Sequence, residues 1–483
     1  MTLRRSPFHL LLLLAGCVRP PSYAPPSMPT PAAWKNTADS LTAATPPAAG
    51  ASSPPPTVDN PAAPGSWWTL FNDPGLNTLE TQAITQNFSL QAALARVEAA
   101  RANVRVANSY RSPLVTVDPQ VYRSWLSALR PLPFAAAASG AGVVQTQYYV
   151  PINASYEFDV WGRIGSSIRA AEADAQVQEA NRRTVLLSLT ADAATYYFSM
   201  RGLDAQLLVL DTARLDRQRS LALTRARYQA GVDNEIAVHR AETELANIDA
   251  GVIETRRQRL GLEASLATVL GVPASGFAVA PQAGPLAAPV VPTSLPAALL
   301  ARRPDLQQAE RRLAAASARV DVARLTHLPT VRLNGYLGPQ SAKIGDLPRV
   351  ADNYTYFVGG GVSIPVFNGG RNRANEQVAR SEAEALVADY RQAALAAFQE
   401  AETSQADVGL YRAQVAARQR AYRAARLASA LTKERYRAGL TTYFEVVDAD
   451  RQTLDAATLL TQAQSNLLGA SVALVRALGG GWE

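Results

Sequence analysis

Between residues 186 and 210 apolar side chains recur in alternating steps of three and four: Leu186, Leu189, Ala193, Tyr196, Met200, Leu203, Leu207 and Leu210. Such a seam marks a long helix packed lengthwise against another, in the manner of a coiled coil. No proline interrupts residues 152–272 or 366–483, so helices far longer than the globular average are permitted. The pattern predicts a helix over residues 163–230, roughly 100 Å long at 1.5 Å per residue, and a matching one over residues 371–438. Gly231 and Gly439 suit the left-handed cap at their ends, and a second helix then returns to about Leu270 or Leu478. Ahead of each long helix the period changes to two. Val144, Tyr148, Val150, Ile152, Tyr156, Phe158 and Val160 alternate with Gln145, Gln147, Asn153, Ser155, Glu157 and Asp159. Shorter alternations cover residues 113–122, 329–337 and 354–366. Each half is therefore expected to carry one strand pair, at about 113–160 and 329–366, with the first hairpin loop around residues 124–142.

The halves are copies. Residues 222–242 and 430–450 are identical at 9 of 21 positions, and residues 90–115 and 306–331 at 12 of 26. An internal duplication fixes the architecture before any motif is weighed. It divides the chain into a first repeat at 66–273, a linker at 274–295 and a second repeat at 296–483.

Composition adds the two segments in front. Residues 1–16 hold two arginines and a short apolar run that ends in small residues before Cys17, the pattern of an export signal with a lipoprotein cleavage site. Removing them takes two arginines and no acid from a net charge of +7, leaving +5, which gives no nucleic-acid footprint. Cys17 is the only cysteine, so it is expected to be acylated and to anchor the chain in lipid. Residues 17–65 carry 13 of the 31 prolines and read as an extended tether.

No segment reaches 18 apolar residues, which excludes helical membrane spans and leaves a strand barrel as the integral option. Four strands cannot close a barrel, and an open sheet edge is not tolerated in lipid, so several copies would have to combine. The other reading of the strands is a small periplasmic sandwich. Enzyme chemistry finds little support: His9, His239 and His327 are isolated, the glycine runs lack phosphate-loop spacing, and no cofactor or metal site is expected.

The sequence resembles the TolC/OprM-like outer-membrane efflux protein family, and within it the lipoprotein branch. The resemblance rests on WWTLFNDPGLNTL at residues 67–79, NFSLQAA at 87–93, YEFDVWGRI at 156–164, ARRPDLQQAE at 301–310, PVFNGGRNRA at 365–374 and the two RYxAG turns. It implies an α+β membrane protein, mainly α. In that picture a homotrimer pools twelve strands into one outer-membrane β-barrel, continued by a twelve-helix periplasmic α-barrel. The implied function is a passive exit duct for drugs, other small toxic compounds or metal ions, joined to an inner-membrane pump through a periplasmic adaptor. The alternative is a periplasmic scaffold lipoprotein of long helices without a pore.

On the same resemblance the two helical tips meet the adaptor, at Ala230, Gly231, Val232 and at Ala438, Gly439, Leu440. Alanine stands where a larger apolar residue is common in the family. Glu445 and Asp448 match acids that line the narrowest ring of the entrance, while Tyr436 and Tyr228 match tyrosines that hold the closed state. Thr441 replaces an arginine of some members. The i, i+3 spacing of Glu445 and Asp448 puts both on one helix face. For Glu445 a second role is open, because Thr442 and Glu445 have the spacing of a capping box.

Overall fold

The computed structural model describes residues 23–31, 33–35, 66–127, 142–282, 284, 287–291 and 296–480. Cys17 and most of the tether lie outside the described residues, as do part of the linker and most of the first hairpin loop. A single 3-10 turn, Trp67–Phe71, opens the folded chain. The first repeat then consists of helices α1 (Pro74–Gln86) and α2 (Phe88–Ser109), strands β1 (Leu114–Val117), β2 (Gln120–Leu126), β3 (Val143–Tyr149) and β4 (Ile152–Phe158), and helices α3 (Arg163–Gln229) and α4 (Glu235–Val269). The second repeat consists of α5 (Pro296–Arg302), α6 (Pro304–Leu325), β5 (Thr330–Ser341), α7 (Val350–Asn353), β6 (Tyr354–Ser363), α8 (Arg371–Arg437) and α9 (Tyr443–Ala477). Helices α3 and α8 have 67 residues each and α4 and α9 have 35 each, so the duplication is preserved to the residue in the long hairpins.

The described residues form two compact units. The first holds the strands and comprises Glu98–Val177, Glu310–Asp389 and the N-terminal residues to Pro26. Six strand segments replace the four expected strands. Pro119 and Pro151 have no N–H to give a ladder, and they break the first pair at matching levels into β1 with β2 and β3 with β4. Asp118 bridges the break: its N–H donates to the Pro151 carbonyl (3.1 Å), and its Oδ2 accepts from Asn153 (2.6 Å). The first hairpin also runs further than its alternation suggested, with Leu126 still paired to Val143.

Both broken strands keep their alternation, and β4 and β3 pair in turn with β5, whose other edge pairs with β6. The result is an antiparallel sheet with two open edges, one on β1 and β2 and the other on β6. Its register sorts the faces. One face carries Val115 and Val117, then Ile152, Ala154, Tyr156 and Phe158, then Val331, Leu333, Gly335 and Leu337, then Tyr356, Val358, Gly360 and Val362. The other carries Asn153, Ser155 and Glu157 beside Arg332 and Asn334. The apolar face is bare: Val115 is 60% exposed, Val358 74% and Val362 59%. Below the sheet, Asp159 caps α3 by accepting from the N–H groups of Ile164 (2.9 Å) and Gly165 (2.7 Å).

The second unit comprises Ser27–Val97, Gln178–Ala309 and Tyr390–Glu483. Its core gathers Trp67, Leu76 and Ala83 with Ala193, Tyr197 and Met200 of α3, Leu266 of α4 and Leu270 at its C-cap, and Val472 and Val475 of α9. Half of the α3 seam is fully buried here, at Leu189, Ala193, Met200 and Leu210, and small residues such as Ala194 (0% exposed) let the helices approach closely. Each repeat closes its hairpin the same way. The Asn87 amide donates to the Val269 carbonyl (2.8 Å), and the Arg303 guanidinium donates to the Ala477 carbonyl (3.1 Å), so each satisfies a free end of a helix. Gly271 (φ +75°) passes so near the Gln86 carbonyl that a Cβ would sit 2.7 Å from its oxygen, which only glycine avoids.

Candidate functional site

The ends of the four long helices meet within the second unit. Each hairpin turns on a glycine in the left-handed region, Gly231 at φ +74° and Gly439 at φ +73°. The turns are closed by the same pair of bonds: Val232 N–H to the Arg227 carbonyl (2.9 Å) with Gly231 N–H to Tyr228, and Leu440 N–H to the Arg435 carbonyl (2.9 Å) with Gly439 N–H to Tyr436. This is the Schellman closure, and it leaves the side chains around it free for other work. Ala230, Gly231, Ala438 and Gly439 are exposed, as are Val232 (63%) and Leu440 (68%). Two residues that sequence reasoning did not single out extend this apolar surface, Ile236 (61% exposed) and Phe444 (60%). The Arg240 guanidinium lies 5.6 Å from the Phe444 ring centre, so the tips touch.

Behind the tips a small core takes residues from all four helices: Leu221 of α3, Val238 and Ala241 of α4, Tyr436 of α8, and Tyr443, Val446 and Val447 of α9. At its rim the Tyr436 hydroxyl donates to Asp233 Oδ2 (3.0 Å), and Arg227 Nε holds the same oxygen at 2.8 Å while its guanidinium lies 4.9 Å from the Tyr436 ring centre. Burial, and then the hydrogen bond to Asp233, push the Tyr436 hydroxyl up to about 12, so it stays protonated and remains a donor at any physiological pH. Tyr436 thus ties the second hairpin to the first. Tyr228 is 44% exposed and takes no part in that link.

Glu445 and Asp448 lie exposed on α9, turned away from the side that buries Val446 and Val447. Gln452 donates to Asp448 Oδ2 at 2.8 Å. Thr442 does occupy the N-cap of α9, but its side chain makes no cap bond, so the capping box that its spacing offered is not formed. The equivalent position of the first repeat, Asn234, does cap, accepting from the Ala237 N–H at 3.0 Å.

A buried polar cluster near the tips was not legible in any motif. Asp450 receives Arg217 Nη1 (2.8 Å), Lys433 Nζ (2.9 Å) and the Ser429 hydroxyl (2.5 Å), joining α3, α8 and α9. Arg217 is 4% exposed and Asp450 10% by side chain. Nearby, Arg451 of α9 pairs with Glu244 of α4. Among the described residues there is no group of His, Cys, Asp and Glu able to hold a metal ion, and no helix long and apolar enough to cross a membrane.

Tyr436 with Asp233, Arg451 with Glu244 and Arg217 with Asp450 thus link the two like hairpins near their tips. A model described as outer membrane efflux protein matches residues 79–272 and 295–480. The chain is 32% identical over 490 residues to the pyoverdine export outer membrane protein OpmQ of Pseudomonas putida, covering 99% of this chain and 98% of that protein. It is 30% identical over 498 residues to the solvent efflux pump outer membrane protein SrpC of Pseudomonas putida, covering 100% and 99%. Among solved structures the outer-membrane channel OprN superposes with a TM-score of 0.83 at 29% identity, over 96% of this chain and all of that one. Agreement across both repeats, in sequence and in fold, settles the point: the chain belongs to the outer membrane efflux protein family.

Proposed function

We propose that this protein is the exit duct of a three-part efflux assembly, in which copies pool their strands into one closed barrel through the outer membrane. Membership of the family makes it a transport protein of that membrane and not an enzyme. The observation that carries the finer reading is the sheet. One face is apolar and largely exposed from Val115 across to Val362, while both edges leave backbone N–H and C=O groups unpaired. Lipid suits the face but not the edges, and only other copies can satisfy the edges without water. Three copies of four long strands would give twelve.

The tips then form the entrance, where a periplasmic adaptor grips the exposed apolar residues around Gly231 and Gly439 and links the duct to an inner-membrane pump. In a trimer, Glu445 and Asp448 would set six carboxylates around one opening, which draws in cations. Asp448→Ala is expected to weaken cation preference severalfold, or to raise conductance, in planar bilayers; unchanged currents would remove Asp448 from the constriction. Cargo is set elsewhere: OpmQ is named for pyoverdine and SrpC for solvents, though both align with this chain end to end. Drugs or other small toxic compounds of a Gram-negative cell are the class proposed.

Lipidation at Cys17 would anchor the N-terminal tether in the same membrane. Cys17→Ser separates the duct from a scaffold held by lipid alone. The variant is expected to remain in the membrane fraction until detergent is added and to give pores in planar bilayers. Release into buffer by the single substitution would leave the scaffold as the better reading.

A further inference from the structure

In the strand-bearing unit, two features at opposite edges of the sheet have no partner among the described residues. The first follows β6. Ile364 is 62% exposed, Val366 92% and Phe367 90%, the last two being the most exposed large apolar side chains among the described residues. They are followed by a turn with Gly369 at φ +63° and Gly370 at φ +84°, which leads into α8. An apolar pair held out so fully in water is costly unless something covers it.

The second feature is a cleft of about 900 Å³ beside the other open edge, bounded by the end of α2, the start of β1, the foot of β4 and β5 and the first turn of α3. Tyr110, Leu114 and Ile164 supply apolar surface, and Tyr110 (65% exposed) and Leu114 (63%) are themselves uncovered. Across the cleft Glu157 sits between Arg163 (2.6 Å) and Arg332 (3.5 Å), so the two guanidinium groups are partly neutralised and present flat faces suited to an aromatic ring.

The geometry points to Val366 and Phe367 of one copy seating in this cleft of the next copy. The inference rests on the reading that open edges pair between copies. Strand direction then does the rest. Leu114 begins β1 and Ser363 ends β6, and by register both lie at the end of the sheet from which the helices leave. When β6 of one copy pairs antiparallel with β1 of its neighbour, the chain leaving Ser363 passes over the mouth of the cleft. Ring and groove are each incomplete alone, and the contact would lock the base of the barrel where the backbone ladder has ended.

The test uses full-length protein with Cys17→Ser, which removes its only thiol. Phe367→Cys combined with Ser112→Cys is expected to give disulfide-linked dimers and trimers on oxidation, with neither single variant doing so. Native mass spectrometry of the same samples separates the two ideas. A trimer without the crosslink, with cysteine also tried at Tyr110 and Ile164, overturns the seating and leaves edge pairing intact. A monomer overturns edge pairing itself. Phe367→Ala is expected to weaken each interface between copies roughly tenfold to a hundredfold, the worth of one buried phenylalanine, with Phe367→Leu near wild type. Quenching of a Phe367→Trp reporter by brominated lipid would place the ring in the bilayer and would equally sink the proposal.

Discussion

Asp450→Ala is expected to destabilise the distal ends of the long helices by about 3–5 kcal/mol, the usual cost of leaving a buried charge without its partner. Arg217 is almost wholly inside, its guanidinium 2.8 Å from Asp450, and removal of the carboxylate strands it, while Lys433 keeps its access to water. Because Arg217 belongs to α3 and Asp450 to α9, the loss removes one of the links between the two hairpins. Faster hydrogen exchange in residues 217–238 and 429–450, beside unchanged strands, is the signature to look for. Asp450→Asn keeps the shape and some hydrogen bonding, so any shortfall it shows reports the charge. Leucine at both 217 and 450 should recover much of the stability, since two apolar side chains need no pairing. If Asp450→Ala exchanges like wild type, the cluster does not hold the hairpins together.

Glu80 gives the second large effect. It lies on α1 at 0% exposure, and neither carboxyl oxygen has a hydrogen-bond partner. Burial alone, with no charged neighbour contributing, raises it from 4.5 to about 9. The folded protein therefore holds one more proton than the unfolded chain between those limits. Stability from this site is complete below about pH 4.5, falls by about 1.4 kcal/mol per pH unit as pH rises, and stops falling above about pH 9. Glu80→Leu, of similar length and without polar atoms, is expected to be more stable than wild type, with an advantage that widens from pH 5 to pH 9. Thermal unfolding in detergent at pH 5, 7 and 9 measures it. Parallel curves for the two proteins would mean that Glu80 finds water or a partner. No local rule warned of this residue, because its position in the helix reads as an ordinary polar site until the core closes over it.

The site divides in the same manner. Gly231 and Gly439 were legible because a left-handed cap is a local demand that glycine meets. The i, i+3 spacing of Glu445 and Asp448 placed them on one helix face, and both are exposed there. Asp233 could not be found as the partner of Tyr436, because 203 residues separate them and nothing in either neighbourhood refers to the other. Asp450 and Arg217 lie 233 positions apart and were equally silent. Thr442 shows the converse, a correct spacing whose bond did not form.

By itself, the sequence determined the repeat, the long helices and strand pairs and their order, and which residues share a face along them. Periods of two and of three to four residues are properties of a single strand or helix, so they survive without any partner. Tertiary structure decided where the strands break and which charges meet. It also decided which carboxyl loses its water and which apolar side chains stay bare at the edge of the sheet. Those outcomes depend on groups brought together from distant parts of the chain, and burial acquires its electrostatic and hydrophobic consequences only once they have met.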